Sequence, residues 1–161
     1  MKIRPDNQKF TEMYRRFLHR VAGGVVLLLK TTGRKSGREH TVGLQYELIN
    51  DRYYVGAADG SRADWLKNIQ ANPEVRVQAG NSRFRAKAMV VSDPGETARF
   101  LAYRLKKRPL LFRMVLSTAG FKGKLDQAAL EKYAQTILMV IFTPFQDAHS
   151  PALADNLDFS L

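Results

Sequence analysis

Val25-Val26-Leu27-Leu28-Leu29-Lys30-Thr31-Thr32-Gly33-Arg34-Lys35-Ser36-Gly37-Arg38-Glu39-His40-Thr41-Val42-Gly43-Leu44-Gln45-Tyr46-Glu47-Leu48-Ile49 is the stretch on which the fold turns. Val25 to Lys30 is short, apolar and flanked by breakers, which reads as a buried strand. From Glu39 the pattern becomes an alternation, with His40, Val42, Leu44, Tyr46 and Leu48 on one face and Thr41, Gly43, Gln45 and Glu47 on the other. That period predicts a second strand from Glu39 to Ile49. Between the two lies Thr31 to Arg38, with two glycines, three cations and three hydroxyls. Its backbone N–H groups and cations can meet a phosphate or carboxylate. It is not a phosphate loop of the Walker type, because a strand rather than a helix follows and the Gly-x-x-x-x-Gly-Lys spacing is absent.

Downstream, Asn50-Asp51 marks a tight turn and Tyr53 to Ala58 a third strand, completing a β-hairpin. Asp59-Gly60-Ser61 breaks that strand, and Arg62 to Gln70 reads as a short helix carrying Trp65, the only tryptophan, one turn before Asn68. Asn72-Pro73 stops it. Val75 and Val77 lie in a fourth strand. After Gly80-Asn81, a fifth alternates Phe84, Ala86, Ala88 and Val90 with Arg83, Arg85, Lys87 and Met89.

Asp93-Pro94-Gly95-Glu96 combines a capping acid, a proline at the first helical position and a glutamate at the third, which starts a helix. Its spacing predicts burial of Ala98, Leu101, Ala102 and Leu105, ahead of the basic cluster Arg104, Lys106, Lys107 and Arg108. Pro109 interrupts it, and Leu110 to Leu116 is a further helical or irregular apolar piece. Asp126 to Gln135 reads as a last helix and Ile137 to Phe142 as a final buried strand. Upstream, Phe10, Met13, Tyr14, Phe17, Leu18 and Val21 form the stripe of an amphipathic helix, with Arg15, Arg16 and Arg20 on its other face. Hairpins outnumber crossovers, so the expected fold class is α+β: a mostly antiparallel, six-stranded small barrel with flanking helices. The expected organisation is one domain over residues 1–145 followed by an acidic tail over 146–161.

A formal net charge of +11 asks for an anionic partner. Residues 1–40 hold ten Lys and Arg against three acids, and residues 83–124 eleven against two. The absence of cysteine removes disulfides, Cys-based zinc sites and thiol nucleophiles together, and three scattered histidines argue against a metal centre. The longest apolar run, Val21 to Leu29, is nine residues against the ~20 that span a bilayer. With no cleavage site of small residues after it, the chain reads as cytoplasmic. The basic N-terminal helix leaves room for peripheral contact of residues 1–20 with the inner membrane face.

Thr31 to Arg38, then Trp65-x-x-Asn68 followed by Ala71-Asn72-Pro73-x-Val75-x-Val77, resembles the deazaflavin-dependent nitroreductase family over roughly residues 20–92. These are split β-barrel oxidoreductases related to the flavin mononucleotide (FMN)-binding flavin reductases. The resemblance implies that reduced coenzyme F-420, an 8-hydroxy-5-deazaflavin, donates hydride to a small electron-poor acceptor such as a quinone, nitro compound or activated alkene. It further implies that Arg34, Lys35, Ser36 and Arg38 hold the cofactor's phosphate and oligoglutamate tail. His40, Thr41, Val42, Gly43 and Leu44, with Ala57, Ala58 and Asp59, would line the ring, and Trp65 and Asn68 would close the pocket. A homodimer is implied too.

Val42-Gly43-Leu44 departs from the Asn-Pro-Leu of the family's quinone and nitroimidazole reductases, and Asp59-Gly60-Ser61 from their Ser-rich turn. FMN is the second cofactor reading. The rival class is a non-catalytic basic module for anionic lipid or nucleic acid. Nucleic acid is disfavoured because aromatics are not interleaved with the cations and no recognition motif is present. No residue is singled out as catalytic; Tyr46 and Tyr133 are the phenols that could donate a proton.

Overall fold

A computed structural model describes residues 26–57, 60–118, 121 and 123–146. The amphipathic helix expected before Val21 and the tail from residue 147 lie outside the described residues, as do Ala58 and Asp59.

Seven strands form one antiparallel sheet: β1 (Val26–Thr32), β2 (Glu39–Gln45), β3 (Glu47–Ile49), β4 (Arg52–Ala57), β5 (Glu74–Ala79), β6 (Ser82–Val91) and β7 (Leu138–Pro144). Their order across the sheet is β2-β1-β5-β6-β7-β4-β3. Among the described residues four α-helices accompany them: α1 (Asp64–Ala71), α2 (Pro94–Lys107), α3 (Pro109–Thr118) and α4 (Gln127–Ala134).

The expected strand Glu39–Ile49 is two strands, and the count is seven rather than six. The reason is a change of partner at Tyr46. Up to Gln45 the chain pairs with β1, in the register Val26↔Gln45, whereas from Glu47 it pairs with β4, in the register Glu47↔Tyr54. A single residue therefore joins strands at opposite ends of the sheet. One residue spans only about 3.4 Å, so the sheet curls until its two edges approach, a closed-up half-barrel rather than an open sheet. The alternation survives the switch, because Val42, Leu44, Tyr46 and Leu48 all pack on the same core.

That core is the concave face: Leu27 and Leu29 of β1, Val55 and Ala57 of β4, Val75 and Val77 of β5, Ala86 and Ala88 of β6, and Val140 and Phe142 of β7, with Leu66 and Ile69 of α1 covering one end. A second cluster joins Leu101 of α2, Phe112 and Leu116 of α3, and Leu130 and Ala134 of α4. Val91, Phe100, Met139 and Ile141 bind α2 to the convex face.

The turns follow their chemistry. Asn50 and Asp51 adopt φ of 48° and 59°, the mirror-image turn that suits a two-residue hairpin. Asp93 caps α2 by accepting from the Gly95 and Glu96 amides at 3.3 and 3.0 Å, and Asp126 caps α4 through the Ala129 amide at 2.9 Å. The inward stripe of α2 is Thr97, Phe100, Leu101 and Arg104. Ala102, expected inside, is exposed, because the buried stripe is displaced by one residue from the expected Ala98, Leu101, Ala102 and Leu105, and its last place falls on Arg104.

Among the described residues no helix is long and apolar enough to cross a membrane.

Candidate functional site

The inward row of β1 runs Leu27, Leu29, Thr31, and its third member is polar where the row leaves the core. Thr31 is nonetheless buried, as is Asn68 on the facing surface of α1. They satisfy each other: the Asn68 side-chain amide donates to the Thr31 hydroxyl at 3.1 Å. The Asn68 carbonyl oxygen then accepts from the Arg34 backbone N–H and from its guanidinium, both at 3.2 Å. A second guanidinium nitrogen of Arg34 lies 3.4 Å from the Asp64 carboxylate at the start of α1. The Thr31–Arg38 loop and the Trp65-x-x-Asn68 helix, thirty-odd residues apart in the chain, are thus one bonded unit.

The loop closes on itself. Gly33 N–H donates to the Arg38 carbonyl at 2.8 Å, Gly37 N–H donates to the Gly33 carbonyl at 2.8 Å, and Arg38 N–H reaches the Ser36 hydroxyl at 3.3 Å. Gly37 sits at φ +66°, a conformation that side chains with a Cβ rarely adopt. A Cβ on Gly33 would lie 2.7 Å from the His40 ring, so that ring lies directly over the turn.

This geometry divides the four expected tail-binding residues. Arg34 is turned inward as a strut between loop and helix. Lys35, Ser36 and Arg38 are exposed at the tip, and neither Lys35 nor Arg38 has an acidic partner among the described residues. The neighbouring Glu39 is held by Arg76 and, at 4.0 Å, by Lys30. Among the described residues the positive charge of Lys35 and Arg38 is uncompensated.

His40 lies opposite Thr31 on β2, an edge strand. Val42, Leu44 and Trp65 are half-buried and pack with buried Ala57 on the concave core, an apolar shelf beside the loop. Thr41 and Gly43 pair with Lys30 and Leu28 and so point to the other face; what they offer the concave side is backbone. Among the described residues no strand pairs with the outer edge of β2, which leaves alternate N–H and C=O groups there. Tyr46 packs 5.2 Å from the Tyr53 ring in the same core. Tyr133 lies in the helical cluster against Phe121, where burial raises its pKa against the lowering by nearby Arg104.

One polar cluster escaped the sequence reading. Glu47, on the polar face of its strand, is 2 % exposed and faces Arg104 at 3.5 Å, Lys107 at 3.6 Å and Arg108 at 3.8 Å. Arg104 also donates to the Gln45 side chain at 3.0 Å and stacks 4.9 Å above the Phe112 ring. It thereby grips both sides of the Tyr46 switch and ties them to α2 and α3. Burial depresses the Arg104 pKa, and Glu47 acts in the opposite sense. No sequence signal marks this, since Glu47 alternates like any solvent-facing residue.

A cofactor with an aromatic ring and an anionic tail fits this arrangement. The exposed donors Lys35, Ser36 and Arg38 suit phosphate and carboxylate oxygens, and the shelf of Val42, Leu44 and Trp65 suits a flat ring.

The family described as F420H(2)-dependent quinone reductase matches over residues 4–113. A curated F420H(2)-dependent quinone reductase of Mycobacterium tuberculosis (strain H37Rv) is 37% identical over 82 residues, 47% of this chain and 55% of that protein. The chain therefore spans about half the length of the curated relatives it matches. Among solved structures, one described as an F420-H2 dependent reductase superposes with a TM-score of 0.50 at 24% identity, covering 73% of this chain and 93% of that one. A second, described as a domain-swapped dimer, gives 0.51 at 21% identity, covering 86% and 99%. At these identities the structural likenesses establish a shared fold.

Proposed function

The chain belongs to the F420H(2)-dependent quinone reductase family, and from that premise we propose that it uses reduced coenzyme F-420 to reduce a quinone-type acceptor. The observation that carries this is the loop locked to α1 through Asn68, which holds Lys35 and Arg38 at the tip, without an acidic partner among the described residues, beside the shelf of Val42, Leu44 and Trp65. When bound, the reduced deazaflavin supplies a hydride from its ring.

The chain's own residues bind and orient. Lys35, Ser36 and Arg38 take the phosphate and oligoglutamate oxygens, while Arg34 and Asn68 keep the loop in place rather than touching the tail. The β2 backbone from His40 to Leu44 lines the ring, with Ala57 completing the wall and Trp65 closing it from α1. Positioning donor carbon against acceptor is the principal demand of hydride transfer, which agrees with a site built from backbone, apolar surface and charge. The reading includes a cytoplasmic homodimer, testable as twice the chain mass in light scattering.

Titration of the purified chain with F-420 is the direct test. Charge-assisted hydrogen bonds are worth ~1.5–3 kcal/mol each. Lys35→Ala with Arg38→Ala should therefore raise the Kd by about 100-fold or more. The same pair should matter far less for a deazaflavin without the anionic tail. Recovery of tightly bound FMN with no F-420 binding at micromolar concentration would move the chain to the flavin-binding branch.

A further inference from the structure

The outer face of α2 is left half covered by its own chain. Ala98, Ala102 and Leu105 recur at the spacing of an apolar stripe, yet Ala98 and Leu105 are half-buried and Ala102 is exposed. They line an open groove of about 810 Å³ between α2 and α4, and Leu125 and Leu130 complete its floor.

The two walls of the groove carry opposite charge. On α2 stand Arg99 and Lys106, about two turns apart, and on the α4 side stand Asp126 and Glu131. All four are exposed. Among the described residues Lys106, Asp126 and Glu131 form no ion pair, and Arg99 meets only Glu96 of its own helix, at 4.0 Å. Two cations and two acids make the groove neutral on a chain of net charge +11.

We propose, on the premise of the homodimer stated above, that two copies of the chain join through this groove. Rotation by 180° about an axis along the groove lays α2 of one copy on α4 of the other, and the converse. The cationic wall of each copy then faces the acidic wall of its partner, so every charged contact is made twice. Charge complementarity selects this occupant. A wholly acidic or wholly basic partner would be attracted by one wall and repelled by the other, whereas a second copy brings both signs in the matching order. Salt screens the remaining like charges beyond about 8 Å, while the facing walls act at contact. An apolar floor inside a charged rim is the anatomy of a protein interface. Ala102, whose burial the period of α2 predicts, is covered in the dimer. None of these residues belongs to the loop, to α1 or to the shelf, so the interface and the cofactor site can be tested separately.

The test is sedimentation equilibrium of the full chain and of two charge-reversed forms. Arg99→Glu with Lys106→Glu makes both walls acidic; Gln127→Lys with Glu131→Lys makes both basic on balance. Either form alone should raise the dimer dissociation constant by about 100-fold or more, because like charges then face each other twice. An equimolar mixture of the two forms should dimerise within about tenfold of the parent, since each acidic wall then finds a basic one. Melting temperature is the fold control and should move by no more than a few degrees. If the parent is a dimer that neither form weakens, the copies join elsewhere, and the proposal is overturned while the homodimer stands. Two folded monomeric forms whose mixture stays monomeric overturn it as well. A monomeric parent overturns both the interface and the homodimer.

Discussion

At the residue scale the strongest constraint is Glu47. A carboxylate 2 % exposed beneath three cations has been taken wholly out of water, and removing its charge strands Arg104 in the same state. Breaking one partner of a buried pair costs ~3–5 kcal/mol. Glu47→Gln should accordingly lower the melting temperature by about 10 °C, at ~2–4 °C per kcal/mol for a chain of this size. Adding Arg104→Met to that variant should recover much of the loss, which differential scanning calorimetry would show. Tyr53 and Tyr133 give a pH prediction. Burial raises both phenol pKa values, with Asp51 adding to the rise at Tyr53. A raised pKa means the folded chain keeps its protons longer than the unfolded one. The stability these phenols contribute is complete below the unfolded value of about 10 and is lost as pH rises past it. In an alkaline titration followed by phenolate absorbance, Tyr53 and Tyr133 should ionise at higher pH in the folded chain than in the unfolded one.

At the scale of elements, local chemistry was legible wherever the decisive contact lies within a few residues. Asp93-Pro94-Gly95-Glu96 announced the start of α2, and the two amide bonds to Asp93 are what it announced. Asp93→Ala should cost ~1 kcal/mol, read as a few degrees in melting temperature. The inward face of α2 was legible only in part. Leu101 is buried as its period predicts, but the stripe is displaced by one residue, so that Ala102 is exposed and the stripe ends on Arg104, whose reason for burial is a glutamate 57 positions earlier. The loop and α1 illustrate the opposite case. Each was visible as a motif, and only the Asn68 bridge shows why they travel together. Asn68→Ala should weaken F-420 binding by about tenfold through loss of the loop's anchor, since one buried hydrogen-bonded group is worth ~1–3 kcal/mol. Asn68→Asp, which keeps the acceptor toward Arg34, should recover part of that affinity.

At the scale of the whole molecule, net charge is a statement about encounter. A chain of +11 attracts a polyanionic ligand over distances comparable with the screening length. Stopped-flow association of F-420 should slow markedly between low salt and ~0.5 M, where the Debye length is only a few ångströms, with a smaller change in dissociation. Architecture at this scale rests on Tyr46. Alternation along Glu39–Ile49 is unbroken, so the sequence presents one strand; the structure presents two, at opposite edges of the sheet.

The sequence by itself determined the strands and turns, the antiparallel character, the loop–helix motif pair and the cationic surplus. All of these depend on side-chain period, backbone preference or formal charge, which are properties of neighbours along the chain. Only the tertiary structure decided the partner switch at Tyr46, the inward turn of Arg34 and the burial of Glu47 under Arg104. Each is settled by what arrives from a distant segment to cover or pair a group, and the same residues on an open sheet would stand in water.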